Sequence, residues 1–402
     1  MTFRRNHALD RLLVAAVTLA AIAVPAATSQ APDASSTVTP YTGFGGVVRT
    51  TTADSTPAPL VIPHAAPGSP NVVFIVLDDL GFSDLQPYGS EIATPNIDAL
   101  AKAGLRFNNF QTHAICSTTR AALLTGRVAH AVGMKDLAGN DTGFPNARGR
   151  ITPAAATIAQ MLQTSGYSTY GVGKWHLLPH ADMLASSPRT DWPLQKGFDR
   201  FYGFLSGWTD QYHPSLVEDN HSLVTPDRPG YHFTADIVDH AIAYLREGQQ
   251  ANTGRPFFLY LATGAVHAPH QAPPEYIEKY KATYTKGWDA IRAERFAREK
   301  AMGLIPPDTV MPPRNADDKA WNDLSADEQK VYARYMAVYA GFVEHTDAQI
   351  GRLIAYLKQS GQFDDTIIFL LSDNGAAPEA GPEGSFTTPY GGRLSIEESL
   401  AR

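Results

Sequence analysis

The chain has 402 residues, 33 Lys plus Arg against 40 Asp plus Glu, a formal net charge of -7, 44% hydrophobic residues and one cysteine. That hydrophobic fraction excludes a disordered chain, and an acidic balance without a long basic run argues against nucleic acid as a partner. The lone Cys116 excludes an intramolecular disulfide framework and a multi-cysteine zinc site.

Residues 1–26 read as an export signal. Arg4, Arg5 and Arg11 supply a basic start, Leu12 to Val24 is nearly all apolar, and Val24-Pro25-Ala26 is a small-residue exit. The apolar run is about 13 residues, short of the roughly 20 that span a bilayer. The expected mature protein is therefore exported, periplasmic or secreted, without a membrane span. Residues 27–70 are rich in Ala, Pro, Ser and Thr and read as a tether; residues 71–402 carry the folded domain.

Asn71 to Leu77 is a continuous apolar, β-branched run, as expected of a strand buried on both faces. Thr94-Pro95 predicts a capped helix start and Gly104 its end. A second helix is predicted just after Cys116, and a third over Ala154 to Gln163. Pro256 to Leu261 and Thr366 to Leu371 read as two further strands. Glu275 to Met302 reads as one charged surface helix. Apolar residues from Tyr332 to Leu357 recur at helical spacing, with the tyrosines expected to face the core. The alternation predicts an α/β fold, a mostly parallel central sheet with helices on both faces.

In such sheets ligands bind beyond the carboxyl ends of the strands. The first strand delivers Asp78 and Asp79 there, and the last delivers Asp373 and Asn374. Both pairs are also compatible with helix caps or Asx turns. Together they form an all-oxygen set suited to Ca2+ or Mg2+ rather than zinc. Cys116 at a helix start feels the positive end of the dipole. Arg120, one turn on, can clamp a multi-oxygen anion with its planar fork. Gly173-Lys174-Trp175-His176, read as a loop, adds a cation and an imidazole, and His267 follows the second strand. Because the protein as a whole repels anions, Arg120, Lys174 and a divalent cation must create a locally positive pocket. Trp175, Trp208 and Tyr212 are candidate pocket walls and equally candidate core residues.

The segment C-S-T-T-R followed by L-T-G-R, flanked in order by L-D-D, G-K-W-H and S-D-N-G, resembles the type I sulfatases of the alkaline phosphatase superfamily, especially bacterial arylsulfatases. The resemblance runs from about Asn71 to the end of the chain. It implies that a maturation enzyme oxidises Cys116 to Cα-formylglycine, and that Asp78, Asp79, Asp373, Asn374 and residue 116 hold calcium, with Mg2+ as the alternative. It further implies that Arg120 stabilises the hydrated aldehyde, that Lys174 and His267 bind sulfate, and that His176 helps break down the covalent intermediate. The implied reaction hydrolyses a small-molecule sulfate ester. A phosphonate monoester or phosphodiester hydrolase, or an inactive metal- and anion-binding homologue, are the other readings. Thr118 and Thr119 replace the Pro and Ser of the family signature. Only 402 − 374 = 28 residues follow Asn374, none of them lysine. Relative to the family pattern the chain therefore reads as incomplete, lacking a downstream lysine and a small C-terminal domain.

Overall fold

The computed structural model describes residues 45–58, 62–184, 186–251, 253–377 and 394–400. The expected export signal lies outside them. The chain divides into two compact units, residues 1–61 and 62–402. In the first, the described residues form one antiparallel bridge, Val47 with Thr56.

Among the described residues the second unit has seven strands: β1 (Asn71–Leu77), β2 (Ser168–Lys174), β3 (Arg200–Phe204), β4 (Val217–Glu218), β5 (His221–Ser222), β6 (Phe257–Ala262) and β7 (Thr366–Ser372). They lie in the order β5-β4-β3-β2-β6-β1-β7. The five from β3 to β7 in that order are parallel, and β4 and β5 add an antiparallel margin. The chain is thus an α/β protein with a mostly parallel mixed sheet. Among the described residues no helix is long and apolar enough to cross a membrane.

The helices are α1 (Pro95–Ala103), α2 (Cys116–Thr125), α3 (Ile158–Thr164), α4 (Phe233–Gln250), α5 (Pro274–Lys279), α6 (Trp288–Ala301), α7 (Ala326–Gln359) and the short α8 (Ile396–Leu400). Side chains alternate along β1, so each face of the sheet has its own core. Val73, Ile75 and Leu77 pack with residues of α4 and α7, while Phe74 and Val76 pack with Ala121 and Leu124 of α2.

Several expectations are corrected. The single helix expected over Glu275 to Met302 is broken at Gly287, whose φ of 82° suits glycine and whose added Cβ would lie 2.1 Å from the Trp321 ring. Thr94 precedes α1, but its hydroxyl accepts from Gln86 N–H at 2.9 Å. The carboxylate of Asp347, midway along α7, caps α1 instead, accepting from the N–H groups of Ile97 at 2.8 Å and Asn96 at 3.2 Å. Trp175 is fully buried between Phe198 and Phe201 and is no pocket wall. Tyr332 lies in the core as expected, and Tyr335 and Tyr339 are half-buried and pack against it.

Candidate active site

Strand register brings the acidic residues together. Leu77 of β1 pairs with Ser372 of β7, so Asp78 and Asp373 leave neighbouring strand ends at the same level. Asp373 N–H donates to Leu77 O at 3.0 Å. Asp79 then turns the chain with φ 60°, a left-handed conformation that Asp tolerates better than most residues. Its N–H donates to Asp373 Oδ1 at 3.2 Å, and its carboxylate accepts from Asn374 Nδ2. Ser372 secures the turn, accepting from Leu80 N–H at 2.9 Å and donating to Asn374 O at 2.7 Å.

Two buried cations face these carboxylates. Lys174 Nζ donates to both oxygens of Asp78, at 2.7 and 2.8 Å. Lys174 is the last residue of β2 rather than part of a loop. Just before it, Gly173 has φ 99°, and a Cβ there would lie 1.8 Å from Ala262 O on β6. Arg120 aims its fork at Asp373, with Nε at 2.8 Å and Nη2 at 2.7 Å, while Nη1 donates to Lys174 O at 3.2 Å and to Tyr260 Oη at 3.4 Å. The planar clamp expected for an external anion is thus directed at a carboxylate. Burial works against both cations, but Asp373 keeps Arg120 charged and Asp78 keeps Lys174 charged, each with its pKa raised. Tyr260, set in β6 as one apolar residue among others, escaped notice in the sequence.

Cys116 is the first residue of α2, and its Sγ lies 3.1 Å from His176 Nδ1. Burial raises the thiol's pKa, and the nearby Lys174 charge opposes that rise only in part. His176 is held well below the ordinary imidazole value by burial, then by Lys174 and Arg120, so it is neutral near pH 7. Gly207 packs against its ring, where a Cβ would come within 2.8 Å of Cε1. On the other side, His267 Nε2 lies 3.6 Å from Asp79 Oδ2. Trp208 and Tyr212 are half-buried in the loop after β3, and the Tyr212 ring contacts His232.

Within this group one oxygen from each of Asp78, Asp79 and Asp373 lies within 4.8 Å of the others. Asn374 Oδ1 is buried without a hydrogen-bond partner, a costly state for an amide oxygen unless a ligand takes it. Three carboxylates and an unsatisfied amide oxygen fit a hard divalent cation with oxygen ligands. The formal charge of the three carboxylates, Arg120 and Lys174 is −3 + 2 = −1. A divalent ion would make it +1.

The family profile described as Sulfatase matches residues 70–395. An uncharacterized sulfatase of Schizosaccharomyces pombe is 37% identical over 329 residues, covering 76% of this chain and 58% of that protein. An arylsulfatase of Klebsiella aerogenes is 35% identical over 331 residues, covering 79% of this chain and 69% of that protein. The crystal structure of Ps i-CgsB in complex with k-i-k-neocarrahexaose superposes with a TM-score of 0.55 at 27% identity, over 77% of this chain and 59% of that one.

Proposed function

We propose that this chain, which belongs to the sulfatase family, is an exported hydrolase that converts a small-molecule sulfate ester to an alcohol or phenol plus sulfate. The chain spans 58% of one of the curated relatives it matches. The observation that carries the proposal is the pairing of Cys116 Sγ with His176 beside three carboxylates and two buried cations.

In this reading a maturation enzyme oxidises Cys116 to Cα-formylglycine. One hydroxyl of its hydrate attacks sulfur as the bond to the ester oxygen breaks and the alcohol or phenol leaves. The second hydroxyl then collapses to the aldehyde and expels sulfate. Thr118, in the place of the signature proline, donates to Ile115 O at 2.7 Å and so holds the turn entering α2. Asp78, Asp79, Asp373, Asn374 and residue 116 hold the divalent ion, Ca2+ with Mg2+ as the alternative, which supplies Lewis-acid stabilisation of charge on the sulfate oxygens. The pocket's +1 charge with the ion present matches a monoanionic ester and overcomes the −7 of the whole chain. Neutral His176 accepts a proton at Nδ1 from the oxygen that replaces Sγ. Lys174 and His267 bind sulfate oxygens, and Arg120 holds Asp373 against its neighbours.

Two measurements test this. Turnover of p-nitrophenyl sulfate should exceed that of p-nitrophenyl phosphate and phenylphosphonate; faster hydrolysis at phosphorus would overturn the assignment. The tryptic peptide 107–120 should carry the mass of formylglycine or its hydrate when the protein is made in its native host. An intact thiol there would refute conversion.

A further inference from the structure

A groove runs between α6 and α7 in two adjoining chambers of about 480 and 700 Å3. Both share Trp288, Arg292 and Met336 as walls, so they adjoin. Ser83, Asp84 and Ala376 also line the smaller chamber. Ala376 stands two residues after Asn374, so their Cα atoms are within about 7.6 Å at 3.8 Å per residue. Tyr339, another wall, has its ring 5.6 Å from that of His270, three residues beyond His267. The near chamber therefore lies beside the loops that carry Asn374 and His267.

We propose that this groove binds the leaving group and selects a flat, apolar system of two or more rings; this rests on the sulfate-ester reading above. The near chamber presents Phe296, Met311, Met336 and Trp288, aromatic faces and adaptable thioethers that favour ring stacking. Ser83 and Glu299 also line it, but its Asp84 and Arg295 are already engaged. Asp84 accepts from Gly81 N–H at 2.9 Å, Tyr339 Oη–H at 2.7 Å and Arg295. Arg295 also forks onto Glu91, at 2.7 and 2.8 Å. A saccharide would have to bury hydroxyls against these committed groups, which costs more than burying a ring. In the far chamber Arg314 pairs with Asp289, Lys319 with Glu328, and Arg292 donates to Pro312 O at 2.7 Å. That leaves little to attract a second sulfate. Each chamber alone has the size of a small-molecule site, so the groove has room beyond a single ring.

The test uses the full chain with Ca2+ and two non-hydrolysable probes, benzenesulfonate and 2-naphthalenesulfonate, by calorimetry. The two-ring probe should bind at least tenfold tighter, and Met336→Gln and Phe296→Ala should each cut that preference at least threefold. In turnover, the KM ratio of p-nitrophenyl sulfate to 4-methylumbelliferyl sulfate should fall in the same variants, whereas a merely structural role would shift both substrates equally. Equal affinity for the two sulfonates, or a lower KM for galactose 6-sulfate than for 4-methylumbelliferyl sulfate, would overturn the proposal. If no sulfate ester is turned over, the hydrolase reading fails, while the sulfonate preference still decides the groove.

Discussion

Replacing Arg120 by Met removes the guanidinium that makes two contacts below 3 Å to Asp373 and a third at 3.5 Å to Asp78, all fully buried. The side-chain volume is largely kept, so the perturbation is electrostatic. Three carboxylates would then face Lys174 alone, and the formal charge of the cluster would go from −1 to −2. Removing one partner of a buried ion pair typically costs about 3–5 kcal/mol. At roughly 2 °C per kcal/mol for a domain of this size, the metal-free variant should melt about 6–10 °C below the parent. A divalent ion should recover much of this, because binding to the folded state stabilises by about 2.7 kcal/mol at one hundred times Kd. The more negative cluster should also gain more from the ion than the parent does. Differential scanning calorimetry in EDTA and in millimolar Ca2+ measures both effects. A variant that melts within 2 °C of the parent in EDTA, or whose rise in Tm with Ca2+ is smaller than the parent's, would refute the charge-balance account of this site.

Other consequences concern the scaffold. Asp347→Ala should cost about 1–2 kcal/mol by uncapping α1, read as a lower urea midpoint and faster amide exchange at Asn96 and Ile97; unchanged exchange there would refute the cap. Gly173→Ala should prevent soluble folding, since its Cβ would fall 1.8 Å from Ala262 O; a soluble variant with the parent's Tm would show that β2 and β6 can separate at no cost. The buried rings of His232 and His345 stack edge-on at 4.4 Å, with Tyr276 and Gln349 against His345 and with Asp210, Glu275 and Arg352 nearby. Burial lowers His232 from 6.5 to about 4 and His345 to about 3. The unfolded chain therefore takes up these protons first as pH falls. Stability should be complete above pH 6.5 and decline from there to about pH 4 for His232, by about 3 kcal/mol, and to about pH 3 for His345. Chemical denaturation across that range checks it, and an equal decline in His232→Gln would assign the loss to other groups.

What was legible in the sequence is what local chemistry encodes. The run from Asn71 to Leu77 reads as a doubly buried strand, and the Asp78-Asp79 and Asp373-Asn374 pairs at strand ends read as candidate ligands for one hard ion. The cysteine heading a helix, with its arginine a turn later, is legible as a further pair of candidate site residues. Strand β2 was missed because Ser168 to Lys174 carries two glycines and little apolar weight. Its place in the sheet comes from neighbours on both sides, β3 and β6, brought from elsewhere in the chain. For the same reason Lys174 looked like a loop residue.

Pairing and partnership belonged to the tertiary structure. A planar fork at position 120 fits an external anion and an internal carboxylate equally well, and only the register of β1 against β7 puts Asp373 within its reach. The helical stripe on α7 has one period throughout. Yet Tyr332 on it is buried, with its ring 5.7 Å from that of Trp288 of α6, while Tyr335 and Tyr339 are only half-buried. A sequence states what each side chain can offer, while the packing of distant segments selects which offer is taken up, because contact energies fall off over a few ångströms and the chain brings residues that close only after it has folded.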